Sequence, residues 1–204
     1  MPYIVRPRRV LAIAAGVLLA VTGLPAAAQA ACATTTTVKA FSKFSDTRDY
    51  SLLTGGSFES GTAGWALSAS SVVSGNESYK VRASTDSRSL SVSSTGLAVS
   101  PSFCVGIEHP TFRFFARQTS GSWAQLTVKL RWKESSGRVN ETTVGSLSGS
   151  SYGSWTPTPS LALASTLPLW QSGQSVSAQL VFDPEDFGGS WTVDDIYIDP
   201  YKRS

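Results

Sequence analysis

The chain has 204 residues, with 17 Lys and Arg against 14 Asp and Glu, one His and two Cys. That length suits a single domain with a substantial core. One His and two Cys are too few for a zinc centre built on nitrogen and sulfur ligands.

The N-terminal thirty residues read as an export signal. Arg6, Arg8 and Arg9 supply a positive start, Val10 to Leu24 an apolar run, and Ala28-Gln29-Ala30 small residues for cleavage. The run is shorter than the roughly 20 residues a spanning helix needs. Residues 1–30 are therefore expected to be removed, leaving a secreted or cell-envelope protein without a membrane span. Three of the 17 basic residues leave with the signal, so 14 face 14 acidic ones. A neutral mature chain makes nucleic acid a poor partner. The charge is uneven: residues 31–140 are basic and 141–204 acidic.

Cys32 and Cys104 form an even pair, and in an oxidising compartment the simplest expectation is one disulfide. Residues 31–47 read as a polar, loosely held lead-in stapled by Cys32, and 48–204 as the folded domain.

The mature chain shows period-two alternation and no long helical period. Leu126, Val128, Leu130 and Trp132 share one face of a run from Ala124 to Lys133, opposite Gln125, Thr127, Lys129, Arg131 and Lys133. Val176, Ala178, Leu180 and Phe182 repeat the pattern, and Phe112, Phe114 and Ala116 alternate with Arg113, Phe115 and Arg117. Weaker strands are expected near 64–70, 78–83, 87–93, 138–144 and 191–199, with 145–174 a long connection. Turns at Ser74-Gly-Asn76, Ser135-Ser-Gly137 and Gly188-Gly189 separate them. Regularly spaced short strands with such turns mean a sandwich or barrel.

Two segments stand out. Gly55-Gly-Ser-Phe-Glu-Ser-Gly-Thr-Ala-Gly-Trp65 opens the domain, and Trp191-Thr-Val-Asp-Asp-Ile-Tyr-Ile198 closes it. On simple alternation Asp194 shares a face with Ile196 and Ile198, and a buried lone carboxylate needs a cation or several donors. Together these segments resemble the galactose-binding-like jelly rolls, in particular carbohydrate-binding modules that open on Asn-Gly-x-Phe-Glu-x-Gly…Trp and close on an Asp-Asp strand. The likeness spans most of residues 50–199. It implies an antiparallel jelly-roll β-sandwich, all-β, and a structural calcium held by the Glu59 and Asp194 carboxylates, the Ser57 carbonyl and Asp86. The chain departs from the pattern in lacking the opening Asn and in carrying Ser57. The alternative is that Glu59 accepts hydrogen bonds from a turn and Asp194 from a strand or an arginine.

A second candidate is a basic surface. If the strands at 112–117 and 124–133 pair, Arg113, Phe115, Arg117, Lys129 and Arg131 make a cationic face with an aromatic on it, suited to carbohydrate and above all to an anionic glycan. The bland reading is a solvated sheet face. Trp123, Trp155 and Trp170 lie in turns or the long connection, as sugar platforms or as caps on the core.

Catalytic signatures are sparse. His109 is the sole histidine, and no Gly-x-Ser-x-Gly elbow, phosphate loop or dinucleotide fingerprint occurs. A glycosidase needs only two carboxylates and is the enzyme class least excluded. Asn76-Glu-Ser78 and Asn140-Glu-Thr142 are glycosylation sequons, relevant only to a eukaryotic product. The expected function is a monomeric, exported, non-catalytic module that binds carbohydrate or a cell-envelope polymer. A structural or adhesive envelope protein comes second, a glycan-active hydrolase or lyase third.

Overall fold

In the computed structural model the chain is described at residue 32 and over 35–121, 123–134, 136–169, 174–185 and 189–200. The expected export signal and Trp170 lie outside the described residues. The described strands are β1 (Ser51–Leu52), β2 (Ala66–Ser74), β3 (Arg88–Val99), β4 (Phe103–Gly106), β5 (Thr111–Gln118) and β6 (Gln125–Lys133). They continue with β7 (Val139–Ser148), β8 (Thr156–Pro157), β9 (Leu161–Ala162), β10 (Ser175–Pro184) and β11 (Trp191–Asp199). Among the described residues no helix is long and apolar enough to cross a membrane.

The alternating rows decide the architecture. β5 sends Phe112, Phe114 and Ala116, β6 sends Leu126, Val128 and Leu130, and β10 sends Ala178, Leu180 and Phe182 into one apolar cluster. Yet β5 and β6 lie far apart in the hydrogen-bonded order β7-β6-β10-β3-β11-β5-β8. The sheet must curl back on itself to bring these rows face to face. The result is the expected all-β, antiparallel jelly-roll sandwich.

β3 serves both layers. Its first half pairs with β11 through Leu90 and Val92, and its end pairs with β10 through Ala98 and Val99. The bend between them is made by close approach. A Cβ on Gly96 would stand 2.7 Å from the Ala69 carbonyl oxygen, so only glycine fits there. Opposite it, β2 shifts register between Ser68 and Ser70, with Ala69 at φ 42°.

Several expectations are corrected. Residues 78–83 form no strand, because the Glu77 carboxylate takes the N–H groups of Tyr79 and Val81 that a ladder would use. β4 was not foreseen; it pairs with β10 and carries Cys104. The connection after β7 holds β8 and β9, short strands on the edge of β5.

The lead-in is not loose. Residues 38–50 form a strap closed by reciprocal hydrogen bonds of 2.8 Å between Val38 and Tyr50. Phe41 and Tyr50, both fully buried, join Ala40, Phe115, Trp155 and Tyr197 in a second apolar cluster on the outer side of β5 and β11. All nine residues of β11 are consequently buried, one face by the main core and the other largely by the strap. The Cys32–Cys104 disulfide, with Cα atoms 5.5 Å apart, ties the chain ahead of the strap to β4.

Candidate functional site

The opening and closing segments lie side by side. Gly55 takes φ 69°, a glycine conformation, and the Gly56 N–H donates to the Leu53 carbonyl at 2.8 Å. The Leu53 N–H donates to the Ile196 carbonyl at 2.8 Å, and the Ile196 N–H to the Gly56 carbonyl at 3.1 Å. A Cβ on Gly56 would stand 3.1 Å from the Ile196 carbonyl oxygen, which explains the second glycine of the pair.

This junction gathers carboxylates. Trp191 and Val193 reach the main core, and so do Ile196 and Ile198. That change from odd to even positions needs one extra residue. β11 has a bulge, three steps from Asp194 to Tyr197 against two from Phe115 to Arg113, with Asp195 at φ 46°. Simple alternation therefore misplaces Asp194, and both aspartates are fully buried. Asp194 accepts the Glu77 N–H at 3.0 Å and the Asp195 N–H at 2.8 Å. Burial, then the neighbouring Asp195 charge, pushes its carboxyl up to about 9.

Asp195 is different: neither of its buried carboxylate oxygens has a hydrogen-bond partner among the described residues. Burial first, then the charges of Glu77, Asp86 and Glu59 against that of Arg82, pushes it up to about 7. Around it, buried Glu77 accepts the Tyr79 N–H at 2.5 Å and the Val81 N–H at 2.6 Å. Glu59 Oε1 accepts the N–H groups of Ser87 at 2.8 Å and Arg88 at 2.7 Å. Buried Asp86 is clasped at both oxygens by Arg82, through Nε at 2.8 Å and through Nη2. Ser57 is buried nearby in the opening turn.

The hydrogen bonds raised as the alternative to metal ligation are thus present for Glu59 and Asp194. Glu59 Oε1 accepts both of its N–H groups, which leaves Oε2, and each Asp194 oxygen accepts one, which leaves a second lone pair, so these hydrogen bonds do not preclude a cation. The unpaired Asp195 oxygens and the all-oxygen donor set fit a hard ion such as calcium. As the side chains stand, no three of these carboxylates, among the described residues, bring oxygens within 4.8 Å of one another. Glu77, Arg82 and Asp195 were not foreseen as parts of the site. Glu77 sits 117 positions from Asp194, and only the adjacent Asp-Asp pair signalled Asp195.

The candidate glycan face does not form as one surface, because β5 pairs with β11, β8 and β9, and β6 with β7 and β10. Their outward rows therefore lie on opposite sides of the sandwich. On one side Phe115 is fully buried, with Phe41 stacked on it at 5.5 Å and Phe44 and Tyr79 each at 5.7 Å. Arg113 lies over the Phe41 ring and donates to Asp46 at 2.8 Å and to the Thr158 carbonyl at 2.7 Å. Arg117 covers Trp155. Hydrogen bonds from Arg48, Tyr50 and Arg113 hold the Asp46 carboxyl far below its usual range. On the other side Lys129 pairs with Asp183 and Arg131 with Glu141, each at 2.7 Å.

Two other places are open. A groove of about 370 Å³ is lined by Trp132, Lys133, Glu134, Ser136, Pro168 and Ser177, among others, and the buried Trp132 indole N–H has no partner among the described residues. Trp123 stands 86% exposed in the β5–β6 loop. His109 is buried beside the disulfide, where its Nδ1 accepts the Gly106 N–H at 3.0 Å and burial lowers its pKa. Cys32, Glu108 and His109 approach one another, but the Cys32 sulfur is spent in the disulfide.

No protein-family model and no curated protein matches the sequence. Solved structures similar to the chain include carbohydrate-binding modules. One is the xylan-binding domain CBM22-1 of Paenibacillus barcinonensis, at 16% identity and TM-score 0.49, covering 72% of this chain and 93% of that one. Another is TmCBM61 in complex with beta-1,4-galactotriose, at 17% identity and TM-score 0.45, covering 72% and 96%. A third is the CBM22-1 and GH10 modules of a Clostridium thermocellum endo-1,4-beta-D-xylanase complexed with xylohexaose, at 12% identity and TM-score 0.49. It is matched over 68% of this chain but only 26% of its own length.

Proposed function

We propose that the mature chain is an exported, non-catalytic module that binds carbohydrate and holds a structural calcium ion where its two ends meet. The observation that carries this reading is the junction itself. The Gly55–Trp65 and Trp191–Ile198 segments, which resemble the ends of a carbohydrate-binding jelly roll, are hydrogen-bonded side by side through Leu53, Gly56 and Ile196.

The Asp195 carboxylate, buried without a donor, is the anchor for the ion, with Glu59, Glu77, Asp86 and the Ser57 carbonyl as the further oxygens. Calcium would supply charge neutralisation there and cross-link the opening turn to β11. Asp194 serves the chain instead, fixing the Glu77 N–H and hence the loop that brings Glu77 in.

Because the strap covers Phe115, the sugar meets another surface. The groove is lined by Trp132, Pro168 and Val176 together with Lys133, Glu134, Ser136 and Ser177, the mixture a sugar needs for stacking and hydroxyl contacts. The β5 and β6 cations that pointed to an anionic glycan are engaged within the chain, so neutral polysaccharides belong in the test as well. The non-catalytic reading is supported by the burial of Glu77, Asp86, Asp194 and Asp195, which keeps these carboxylates from flanking a scissile bond in an open cleft.

Affinity electrophoresis in gels cast with xylan, galactan or polygalacturonate tests the reading. The mature domain is expected to be retarded by at least one of them, and Ser177→Arg, which fills the groove, to lose that retardation. Mobility unchanged in every gel would contradict the proposal.

A further inference from the structure

Where β11 bulges, buried Asp195 lies within reach of the charges of Glu77, Asp86 and Glu59, with Asp194 beside it on the strand. The guanidinium of Arg82 faces them, and its whole paired strength goes to Asp86, through Nε and Nη2. Asp195 feels the Arg82 charge but receives no hydrogen bond. Lys80 reaches the same turn, where its Nζ donates to the Asp86 main-chain carbonyl. The Arg82 side chain is 35% exposed, so it lies at the mouth of the cluster with a path to solvent, whereas Asp86 beneath it is buried.

We infer that Arg82 is the resident counter-cation of this cluster and competes with a divalent metal ion for it. The inference rests on the calcium reading above and adds that metal entry requires Arg82 to release Asp86. A guanidinium is planar and satisfies one carboxylate well. A calcium ion takes six to eight oxygens and would draw in Asp195, Glu77 and Asp86, whose oxygens do not all lie within 4.8 Å of one another while Arg82 holds Asp86. The two cations therefore neutralise the same buried charge in different ways. Arg82 leaves Asp195 unpaired but keeps the metal-free fold intact. The ion pairs Asp195 and leaves Arg82 free to turn outward.

Competition has a signature that neither a purely structural ion pair nor a purely ligating residue would give. Removing Arg82 should weaken the metal-free protein and strengthen metal binding. The test is calorimetric titration of the mature domain with calcium chloride, together with melting curves in EGTA and in millimolar calcium, for the wild type, Arg82→Gln and Arg82→Lys. Arg82→Gln is expected to bind calcium at least tenfold more tightly than wild type, to melt several degrees lower in EGTA, and to recover in calcium. Arg82→Lys, which keeps the charge without the two-pronged clasp, is expected to fall between the two, and it supplies the comparison should Arg82→Gln fail to fold in EGTA. Equal or weaker calcium affinity in the variants would overturn the competition while leaving the calcium site standing. Absence of calcium binding in every form would overturn both.

Discussion

Replacing Phe41 by alanine removes the ring at the centre of the second apolar cluster. The side chain is fully buried, 4.9 Å from Tyr50, 5.5 Å from Phe115 and 5.8 Å from Tyr197 between ring centres, with the Arg113 guanidinium 4.3 Å above it. An aromatic ring buries about 150–250 Å². At roughly 25 cal/mol per Å² that is about 4–6 kcal/mol as an upper bound. Phe→Ala substitutions in cores cost about 3–5 kcal/mol. A loss of about 4 kcal/mol is therefore expected, lowering the melting temperature by roughly 10 °C in a domain of this size. Phe44→Ala, at a partly buried ring of the same strap, should cost less than half as much. Thermal and urea unfolding of the oxidised mature domain measure both. A Phe41→Ala loss below about 1 kcal/mol would refute the strap as a second core and reopen Phe115 as a ligand platform.

Other outcomes follow from the same contacts. In EGTA the melting temperature should fall as pH rises from 6.5 to 8.5. Asp194 and Asp195 have folded-state values near 9 and 7, above their ordinary 3.8, so in this window the folded state binds more protons and loses stability on titration. Saturating calcium, which binds the ionised carboxylates, should flatten or reverse that slope; an identical slope with and without calcium would place the ion elsewhere. Opening the Cys32–Cys104 disulfide by a double Cys→Ser change should cost about 4 kcal/mol in the chain-entropy model, given the 72-residue separation. Unchanged urea unfolding would show the strap to be held by packing alone. Asp46→Asn, which weakens the acceptor shared by Arg48, Tyr50 and Arg113, should lower stability by about 1–3 kcal/mol in chemical denaturation. No loss would mean that these partners exchange freely with water.

The fold was legible because its signals are local. Period-two rows at 112–117, 124–133 and 176–182 state which side of each strand is apolar, and all three rows meet in the main core. The disulfide was legible from an even pair of cysteines behind a segment that reads as an export signal. What could not be read depended on pairing between distant segments. Phe115 looks like an outward aromatic on a basic face until Phe41, 74 positions earlier in the numbering, is seen lying on it. Asp194 looks like the inward carboxylate until the bulge at Asp195 shifts the alternation by one. Glu77 read only as the middle of a sequon, yet its N–H binds Asp194 and its carboxylate shapes the following loop. Patterns of period two carry burial, but they do not carry register shifts or the identity of what covers an outer face.

The central claim, a carbohydrate-binding module that does no chemistry, is tested most directly by incubating the calcium-loaded mature domain with an array of plant and bacterial cell-wall glycans and assaying bound protein and released reducing ends together. Retention on a defined group of glycans without any new reducing ends is the predicted result. Release of reducing ends, or no retention on any glycan by a domain whose melting curve shows it folded, would contradict the account.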